Sequence, residues 1–145
     1  MTAGESTCRR ASAADVAALT RLINDAFRVE DFFKAHDRTT EAGVRSLLDV
    51  GEFLVMDEPP DAARASALAA CAYLELRVDH LYFGMLSIAP SSQGRGLGRR
   101  MLAAIEDRAL ALGRDTIEIQ VVNLRTDLFP WYRRFGYREV GTLPF

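Results

Sequence analysis

The first third of the chain carries apolar residues at helical spacing. One amphipathic helix is predicted after Ser12, because Ser12 and Asp15 resemble a capping box with Asp in place of Glu or Gln. A second helix is predicted to begin at Thr39 or Thr40 and to end at Gly51. The apolar positions are Val16, Leu19, Leu22, Ile23 and Ala26 in the first helix and Val44, Leu47 and Leu48 in the second.

The spacing then changes to the short apolar runs and the alternation that are typical of strands. Strands are predicted at residues 8–11, 52–56, 66–78, 81–89, 116–122 and 137–141. The third and fourth of these form a predicted hairpin, and a short helix over residues 128–135 ends at Gly136. Helices, a strand meander and a final β-α-β unit together predict one domain with a mixed α/β sheet.

A glycine-rich turn joins the strand at 81–89 to a further helix, and Gly94, Gly96 and Gly98 lie at this junction. The amides of a first helical turn have no partner within the helix, so they and the helix dipole favour an anion. Glycine also leaves no Cβ in the path of a phosphate. The turn is therefore predicted to bind phosphate. Guanidinium groups near it belong to Arg95, Arg99 and Arg100. The helix is predicted from Leu97, Met101, Ile105, Ala109 and Leu112, with Gly113 as its end.

The type of phosphate ligand is not fixed by the glycines alone. The segment has the spacing G-x-G-x-G, whereas dinucleotide-binding turns need G-x-G-x-x-G and P-loops need Gly-Lys-Ser/Thr. Neither pattern fits. A turn that only redirects the chain, with no ligand, is the alternative at this point.

Composition narrows the class of protein. The 145 residues are 49% hydrophobic and 26% charged, with a net charge of −2, which favours neither a nucleic-acid nor a membrane partner. The cysteines, Cys8 and Cys71, have no metal-ligand spacing and form no disulfide framework, so no metal is predicted and a reduced cytoplasmic location is expected. The N-terminus does not read as a signal peptide, and no apolar run reaches membrane-spanning length.

The segment from Gln93 to Gly98 fits the pattern Q/R-x-x-G-x-G/A, and it resembles the pyrophosphate-binding motif of the GNAT superfamily of acyl-CoA-dependent N-acyltransferases. The order of elements from Arg9 to Gly141 also resembles the GNAT fold. That resemblance implies a mixed, mostly antiparallel central sheet, flanked by helices and splayed between the fourth and fifth strands.

The resemblance implies acetyl-CoA as acyl donor. The 131–137 segment resembles the F-Y-x-K-x-G-F signature, which makes Tyr132 the general acid for the departing thiolate; a core aromatic is the alternative for Tyr132 and Trp131. Asn123 resembles an asparagine near the pantetheine arm, or it satisfies loop backbone. The implied cofactor-binding residues are Leu86, Ser87, Ile88, Gln93, Gly94, Arg95, Gly96, Leu97, Gly98, Arg99, Asn123 and Tyr132.

The implied reaction is direct transfer of an acetyl group to a primary amine of a small molecule, peptide or protein, through a tetrahedral intermediate. Some relatives carry a glutamate early in the fourth strand, but this chain has no carboxylate there. Candidates for the general base are Glu75, His80 and Tyr82. The implied acceptor side carries Phe32, Phe33 and Asp37. A non-catalytic acyl-CoA sensor on the same scaffold is the alternative function.

GNAT-like domains usually have one more strand after the one predicted at 137–141, and this sequence stops at Phe145. The predicted sheet therefore has a gap beside the 116–122 strand, and exposed strand edges are avoided. Three outcomes are expected alternatives: a longer chain, a strand donated by a second copy in a homodimer, or direct pairing of the 116–122 and 137–141 segments.

Overall fold

The structure is a computed structural model, and it describes residues 8–27, 39–58, 68–120 and 128–141. The strands are β1 (Cys8–Arg10), β2 (Glu52–Asp57), β3 (Leu68–Leu76), β4 (Leu81–Ile88) and β5 (Ile117–Ile119). The helices are α1 (Val16–Ala26), α2 (Glu41–Val50), α3 (Leu97–Ala111) and α4 (Leu128–Arg134), with 3-10 turns at Ala13–Asp15 and Pro90–Ser92. In the described part of the chain, no helix is long and apolar enough to cross a membrane.

The five strands form one sheet in the order β1-β2-β3-β4-β5. The first four are antiparallel neighbours, whereas β5 lies parallel to β4 because α3 carries the chain back between them. Pairing of β4 with β5 is confined to Leu81, Tyr82 and Phe83, opposite residues 117–119. Beyond Phe83, β4 has no β5 partner among the described residues. The mixed, mostly antiparallel sheet flanked by helices is the predicted fold class.

The N-terminal helices begin where side chains can accept their free amides. Ser12 and Asp15 form the predicted capping box: the Ala14 amide donates to Ser12 Oγ at 3.3 Å, and the Ser12 amide donates to Asp15 Oδ2 at 2.8 Å. For α2 the structure selects Thr40, whose hydroxyl accepts from the Gly43 amide at 3.1 Å. Thr39 instead bonds to Asn24 through its backbone, and this contact ties α2 to α1.

The sheet has a separate hydrophobic core on each face. On one face, hereafter the α1/α2 face, buried residues of α1 and α2 pack on Phe53, Val55, Cys71 and Tyr73. On the other, the α3/α4 face, α3 and Tyr132 of α4 pack on Leu54, Ala72, Leu74 and Phe83. Alternate residues of each strand point to opposite faces, so β2 and β3, covered on both sides, are almost continuously buried.

Two sequence predictions need correction. The segment 137–141 is not a strand: it carries no ladder hydrogen bonds with any described strand, and its first residue is turned inward so that Tyr137 packs on Phe83 and Tyr132. Direct pairing with β5 is therefore absent from the described residues. The β5 strand also differs from the predicted 116–122, because Thr116 and Gln120 are described and lie outside Ile117–Ile119; residues 121 and 122 lie outside the described residues.

Candidate functional site

The glycine-rich turn opens the N-terminus of α3. Gly94 and Gly96 have φ values of 85° and 72°, in the left-handed region where glycine is favoured, and a Cβ added at either would meet no atom within 4 Å. Gly96 occupies the N-cap position, and no described side chain accepts the first amides of α3. The turn therefore presents free N–H groups in open space, which suits an anion.

At position 98 the structure needs glycine for a different reason. It lies inside α3 with a helical backbone, and a Cβ built there would stand 2.9 Å from Cζ2 of Trp131. Trp131 belongs to α4, so the missing side chain lets the indole lie against α3. Gly98 thus joins two helices, whereas Gly94 and Gly96 shape the turn.

A cleft of about 610 Å³ opens in front of this turn, between α3, α4 and the end of β4. Its size suits a ligand of nucleotide dimensions. The cleft is lined by Ile88, Ser92, Gln93, Gly94, Gly96, Leu97, Gly98, Arg99, Trp131, Arg134 and Phe135.

Seven of the predicted cofactor residues line this cleft, namely Ile88, Gln93, Gly94, Gly96, Leu97, Gly98 and Arg99. Four described residues do not: Leu86 is packed on the α3/α4 face, Ser87 is buried, Arg95 directs its Nε toward the Ser92 carbonyl at 3.5 Å, and Tyr132 lies behind Trp131. Outside the described residues lie Asn123, Phe32, Phe33 and Asp37.

The cleft is also lined by four residues that the sequence had not indicated as donor-binding, namely Ser92, Trp131, Arg134 and Phe135. Ser92 is fully buried, and its hydroxyl donates to the Glu58 carboxylate at the end of β2. Trp131, Arg134 and Phe135 reach the cleft because α4 packs against α3. Their signal in the sequence was the aromatic segment itself, in which only Tyr132 had been given a role.

A backbone irregularity marks the place where β4 leaves β5. The register of β3 with β4 shifts between Cys71 and Tyr73, and Met85 adopts φ 52°, the one positive φ of a non-glycine residue in the described chain. Its carbonyl accepts hydrogen bonds from the Ser87 hydroxyl at 2.9 Å and the Cys71 thiol at 3.8 Å. Such bulges re-aim a strand and are found beside active sites. No feature of the sequence had indicated this one.

Tyr132 lies between the cleft and the strand divergence. Its ring is 7% exposed, with centroid distances of 5.0 Å to Trp131, which lines the cleft, and 6.3 Å to Phe83, the last β4 residue paired with β5. Tyr137 packs on it at 5.6 Å. These contacts fix the ring position by packing on three sides.

Glu75 lies on the opposite face, in a network of aromatic and charged side chains. Tyr73 donates to Glu75 Oε2 at 2.9 Å, and Arg77 Nε donates to Glu75 Oε1 at 2.9 Å. These two bonds, the one from Tyr73 first, lower the pKa of Glu75, whereas burial and the same bond raise that of Tyr73. Arg77 stacks over the ring of Tyr82 at 4.6 Å, and Tyr82 is the cross-strand partner of Glu75.

The same register places Tyr73 opposite Gly84, the first β4 residue beyond the β5 pairing. A Cβ at Gly84 would lie 2.7 Å from the Tyr82 hydroxyl, so the glycine lets that hydroxyl fold back along the strand. Glu75 and Tyr82 are therefore brought together close to the divergence, on the α1/α2 face.

His80 is not brought to this network. It lies in the turn before β4, four residues and about 13 Å of strand from Gly84. Its Nδ1 is 2.7 Å from Asp79 Oδ1, and its Nε2 is 3.8 Å from Glu118 Oε2. Of the three base candidates, His80 is thus the one at the far end of the β4–β5 pair.

Residues 50–139 match the family model described as "Acetyltransferase (GNAT) domain". The chain belongs to the GNAT acetyltransferase family. The match runs from the last residue of α2 through the cleft and past α4, so it includes every element that builds the candidate site. No curated protein matches the GNAT chain significantly in sequence.

Solved structures share the GNAT fold at low sequence identity. The ribosomal-protein-S18-alanine N-acetyltransferase of Escherichia coli has a TM-score of 0.74 at 18% identity, over 94% of this chain and 80% of that one. A predicted acetyltransferase of Clostridium acetobutylicum with acetyl-CoA has a TM-score of 0.72 at 15% identity, over 97% and 95%. A transcriptional regulator of Bacillus halodurans has 0.74 at 14%, over 97% and 100%. At these identities the likeness shows the fold alone.

Proposed function

We propose that this GNAT domain is an N-acetyltransferase that moves the acetyl group of acetyl-CoA to a primary amine by direct transfer. The observation that carries the proposal is the cleft itself: uncapped amides of α3 and the cationic side chains Arg99 and Arg134 face it. It lies beside the point where β4 loses its β5 partner. An elongated donor with phosphates at one end and a thioester at the other fits this arrangement.

The protein backbone holds the donor at two places, its pyrophosphate and its pantetheine arm. The pyrophosphate takes the free amides between Gly94 and Gly98. The pantetheine arm lies along residues 84–88 of β4, whose edge toward β5 has no strand partner among the described residues and therefore offers amides and carbonyls as an added strand would use them. The solved acetyltransferase of Clostridium acetobutylicum with acetyl-CoA supports this choice of donor.

The acid is Tyr132. When the amine nitrogen attacks the thioester carbonyl carbon, a C–N bond forms and the tetrahedral intermediate carries its negative charge on oxygen. Backbone N–H groups of the unpaired β4 edge stabilise that oxyanion. The intermediate then collapses, the C–S bond breaks, and the Tyr132 hydroxyl gives its proton to the thiolate of CoA. Packing on Phe83 keeps Tyr132 at the divergence.

The base is Glu75, acting through water. A primary alkylamine has a pKa of about 10, so at pH 7 its free form costs about 4 kcal/mol to generate. Glu75 is ionised at neutral pH because Tyr73 and Arg77 lower its pKa, and it is half-buried two residue pairs from Gly84 in the β3–β4 register. Through water it takes the first proton from the bound ammonium, which frees the nitrogen lone pair for attack. The second proton, which the nitrogen loses after attack, leaves through the same water, and solvent returns a proton to Tyr132.

The acceptor is an amine of a small molecule, peptide or protein. The fold neighbour from Escherichia coli is named a ribosomal-protein-S18-alanine N-acetyltransferase, so peptides with a free amino group belong in the test. Phe32, Phe33 and Asp37 remain the predicted acceptor side.

The test is free-thiol release from acetyl-CoA with a panel of alkylamines, amino acids and peptides with free N-termini, and product identification by mass spectrometry. We expect one acceptor class to give free CoA and acetylated product in equal amounts. The product should be about 42 Da heavier than the acceptor, because an acetyl group replaces one hydrogen. If calorimetry shows that acetyl-CoA binds but no acceptor is acetylated, the proposed acetyltransferase activity is contradicted. That result would favour a non-catalytic acyl-CoA sensor.

A further inference from the structure

The bulge in β4 lies beside the place where the proposed donor would carry its thioester. Between Gly84 and Ser87, β4 has two residues where the paired segment of β3 has one. The first of these two, Met85, has φ 52°. The thioester is the end of the donor furthest from the pyrophosphate at α3, so along residues 84–88 it comes closest to this first part of the free edge.

The extra residue changes which face the following side chains occupy. Before the bulge, Leu81 and Phe83 pack on the α3/α4 face. After it, Leu86 and Ile88 pack there, while Met85 packs on the α1/α2 face. Because side chains alternate along a strand with a period of two, Ile88 reaches the cleft only when the bulge is in place. The bulge therefore sets both the course of the β4 edge and one wall of the cleft.

A methionine is an unfavourable residue for this backbone conformation. Bulges whose first residue has a positive φ usually place glycine there, because a side chain makes that conformation strained. Here the positive φ falls on Met85 rather than on the neighbouring Gly84. Gly84 serves another purpose, since a Cβ there would lie 2.7 Å from the Tyr82 hydroxyl. A strained residue keeps its conformation only where the surrounding contacts hold it.

Two buried side chains supply those contacts. The Ser87 hydroxyl donates to the Met85 carbonyl at 2.9 Å, and the Cys71 thiol donates to it at 3.8 Å. Ser87 and Cys71 are cross-strand partners and are 1% and 0% exposed, so water does not compete for the carbonyl. Burial raises the pKa of the Cys71 thiol to about 12, which keeps it protonated and able to donate at neutral pH.

We propose that Ser87, supported by Cys71, is a positioning residue: by holding the Met85 carbonyl, it keeps the free edge of β4 turned so that its backbone binds the thioester carbonyl of the donor. This inference rests on the proposed use of acetyl-CoA. A peptide group is planar, so a fixed carbonyl also fixes the amide of the same peptide. Donors to an oxyanion act only when they are aimed before the reaction, and a pair of buried side chains provides that.

The test removes the hydrogen bond and then removes the strain that it holds. In Ser87→Ala, we expect the resonance of acetyl-CoA labelled with ¹³C at the thioester carbonyl to lose most of the downfield shift that hydrogen bonding gives it in the bound state. Turnover should fall about tenfold, because a donor that is only less well aimed costs less than one that is removed. Affinity for CoA, which has no acetyl group, should stay unchanged by calorimetry.

The double variant Ser87→Ala/Met85→Gly is the decisive comparison. Glycine adopts a positive φ without strain, so the carbonyl shift and most of the turnover should return. A hydroxyl that merely filled the core would not be replaced by a second, smaller residue at position 85. The rescue therefore distinguishes positioning from a general loss of packing.

The two free cysteines provide a matched pair for the weaker bond. Cys71→Ala removes the second donor to Met85, and turnover should fall about threefold. Cys8→Ala is the control and should keep full turnover, because Cys8 packs on the α3/α4 face, away from Cys71. Cys71→Ala also tests the same contact from β3 if Ser87→Ala does not fold.

A full carbonyl shift and full turnover in Ser87→Ala would overturn the proposal, and so would a loss that Met85→Gly does not restore. The proposed function fails separately. If acetyl-CoA binds with a shift that depends on Ser87 but no amine is acetylated, the positioning role holds and the transferase activity does not. If acetyl-CoA does not bind the native protein at all, both are wrong.

Discussion

The two faces of the sheet carry two halves of the candidate site, and they are built differently. On the α3/α4 face, the glycine-rich turn of the cleft is formed by backbone: two glycines in left-handed conformations and first amides of α3 that no described side chain accepts. On the α1/α2 face, the network around Glu75 is formed by side chains: Tyr73 and Arg77, two residues before and after Glu75 along the chain, both donate to its carboxylate.

This difference decides which substitutions each half tolerates. A backbone site depends on conformations that only glycine adopts without strain, and it is insensitive to most neighbouring side chains. A side-chain network depends on every partner, because removing one leaves a charge or a donor unmatched. The predictions below test that distinction, from the largest expected effect to the smallest.

The first prediction breaks the α1/α2 half. Glu75→Gln keeps the shape of the side chain but cannot accept a proton, so we expect kcat to fall about a hundredfold with acetyl-CoA affinity unchanged. His80→Gln is the control and should keep full activity, because His80 lies at the far end of β4. Steady-state kinetics with the acceptor found above, together with calorimetry, measure both quantities.

The pH profile gives an independent check of the same assignment. The pKa of Glu75 is lowered below its ordinary value, so Glu75 is ionised throughout the neutral range and contributes no acidic limb there. Activity should therefore rise with pH only as the acceptor amine loses its proton. Full activity in Glu75→Gln together with loss of activity in His80→Gln would assign the base to His80 instead.

The second prediction concerns Tyr132, which packs on the α3/α4 face beside the last β4 residue paired with β5. Tyr132→Phe removes one hydroxyl and keeps the packing with Phe83 and Trp131, so turnover should fall about tenfold or more while acetyl-CoA binding stays nearly unchanged. Single-turnover measurements with isothermal calorimetry separate the two effects. If turnover survives, Tyr132 is a core aromatic and another group protonates the thiolate.

The third prediction breaks the α3/α4 half. Gly96→Leu places a side chain where the pyrophosphate approaches, so acetyl-CoA affinity should fall about tenfold or more, equivalent to about 1.4 kcal/mol. Gly113→Leu is the matched control: Gly113 has φ 77°, a Cβ there also meets nothing within 4 Å, and it follows the opposite end of α3. Both variants carry the same backbone strain, but only the first should lose affinity. Equal affinities in the two variants would refute the phosphate assignment.

The fourth prediction has the smallest expected effect, and it compares two tyrosine hydroxyls, one on each face of the sheet. Tyr137 has a buried hydroxyl with no hydrogen-bond partner among the described residues, and burial raises its pKa to about 12. Tyr137→Phe should therefore raise the free energy of unfolding by about 1 kcal/mol. Tyr73→Phe removes the bond to Glu75 and should lower it by about the same amount. Urea unfolding measures both, and a loss in Tyr137→Phe would indicate that its hydroxyl is satisfied.

Much of the α3/α4 half follows from local sequence. Gly94 and Gly96, placed just before an amphipathic helix, favour a turn that leaves the first amides of the helix without a helical partner, and this conclusion needs no knowledge of distant residues. The same holds for the capping box at Ser12 and for the end of α3, where Gly113 adopts a left-handed conformation. These features depend on interactions within a few residues, which is why the hydrophobic pattern and the turn residues predicted them.

Distant contacts decided the rest. The sequence could not distinguish Glu75 from His80, because their separation depends on the β3–β4 register and on where β4 leaves β5. It could not reveal that Gly98 makes room for Trp131, since α3 and α4 meet only in the folded chain. The segment at 137–141 has the composition of a strand, yet a strand forms only beside a partner, and Tyr137 is turned into the core instead. Sequence alone thus determined most of the elements and the glycine-rich turn, because those are local, whereas the tertiary structure decided which side chains share a site.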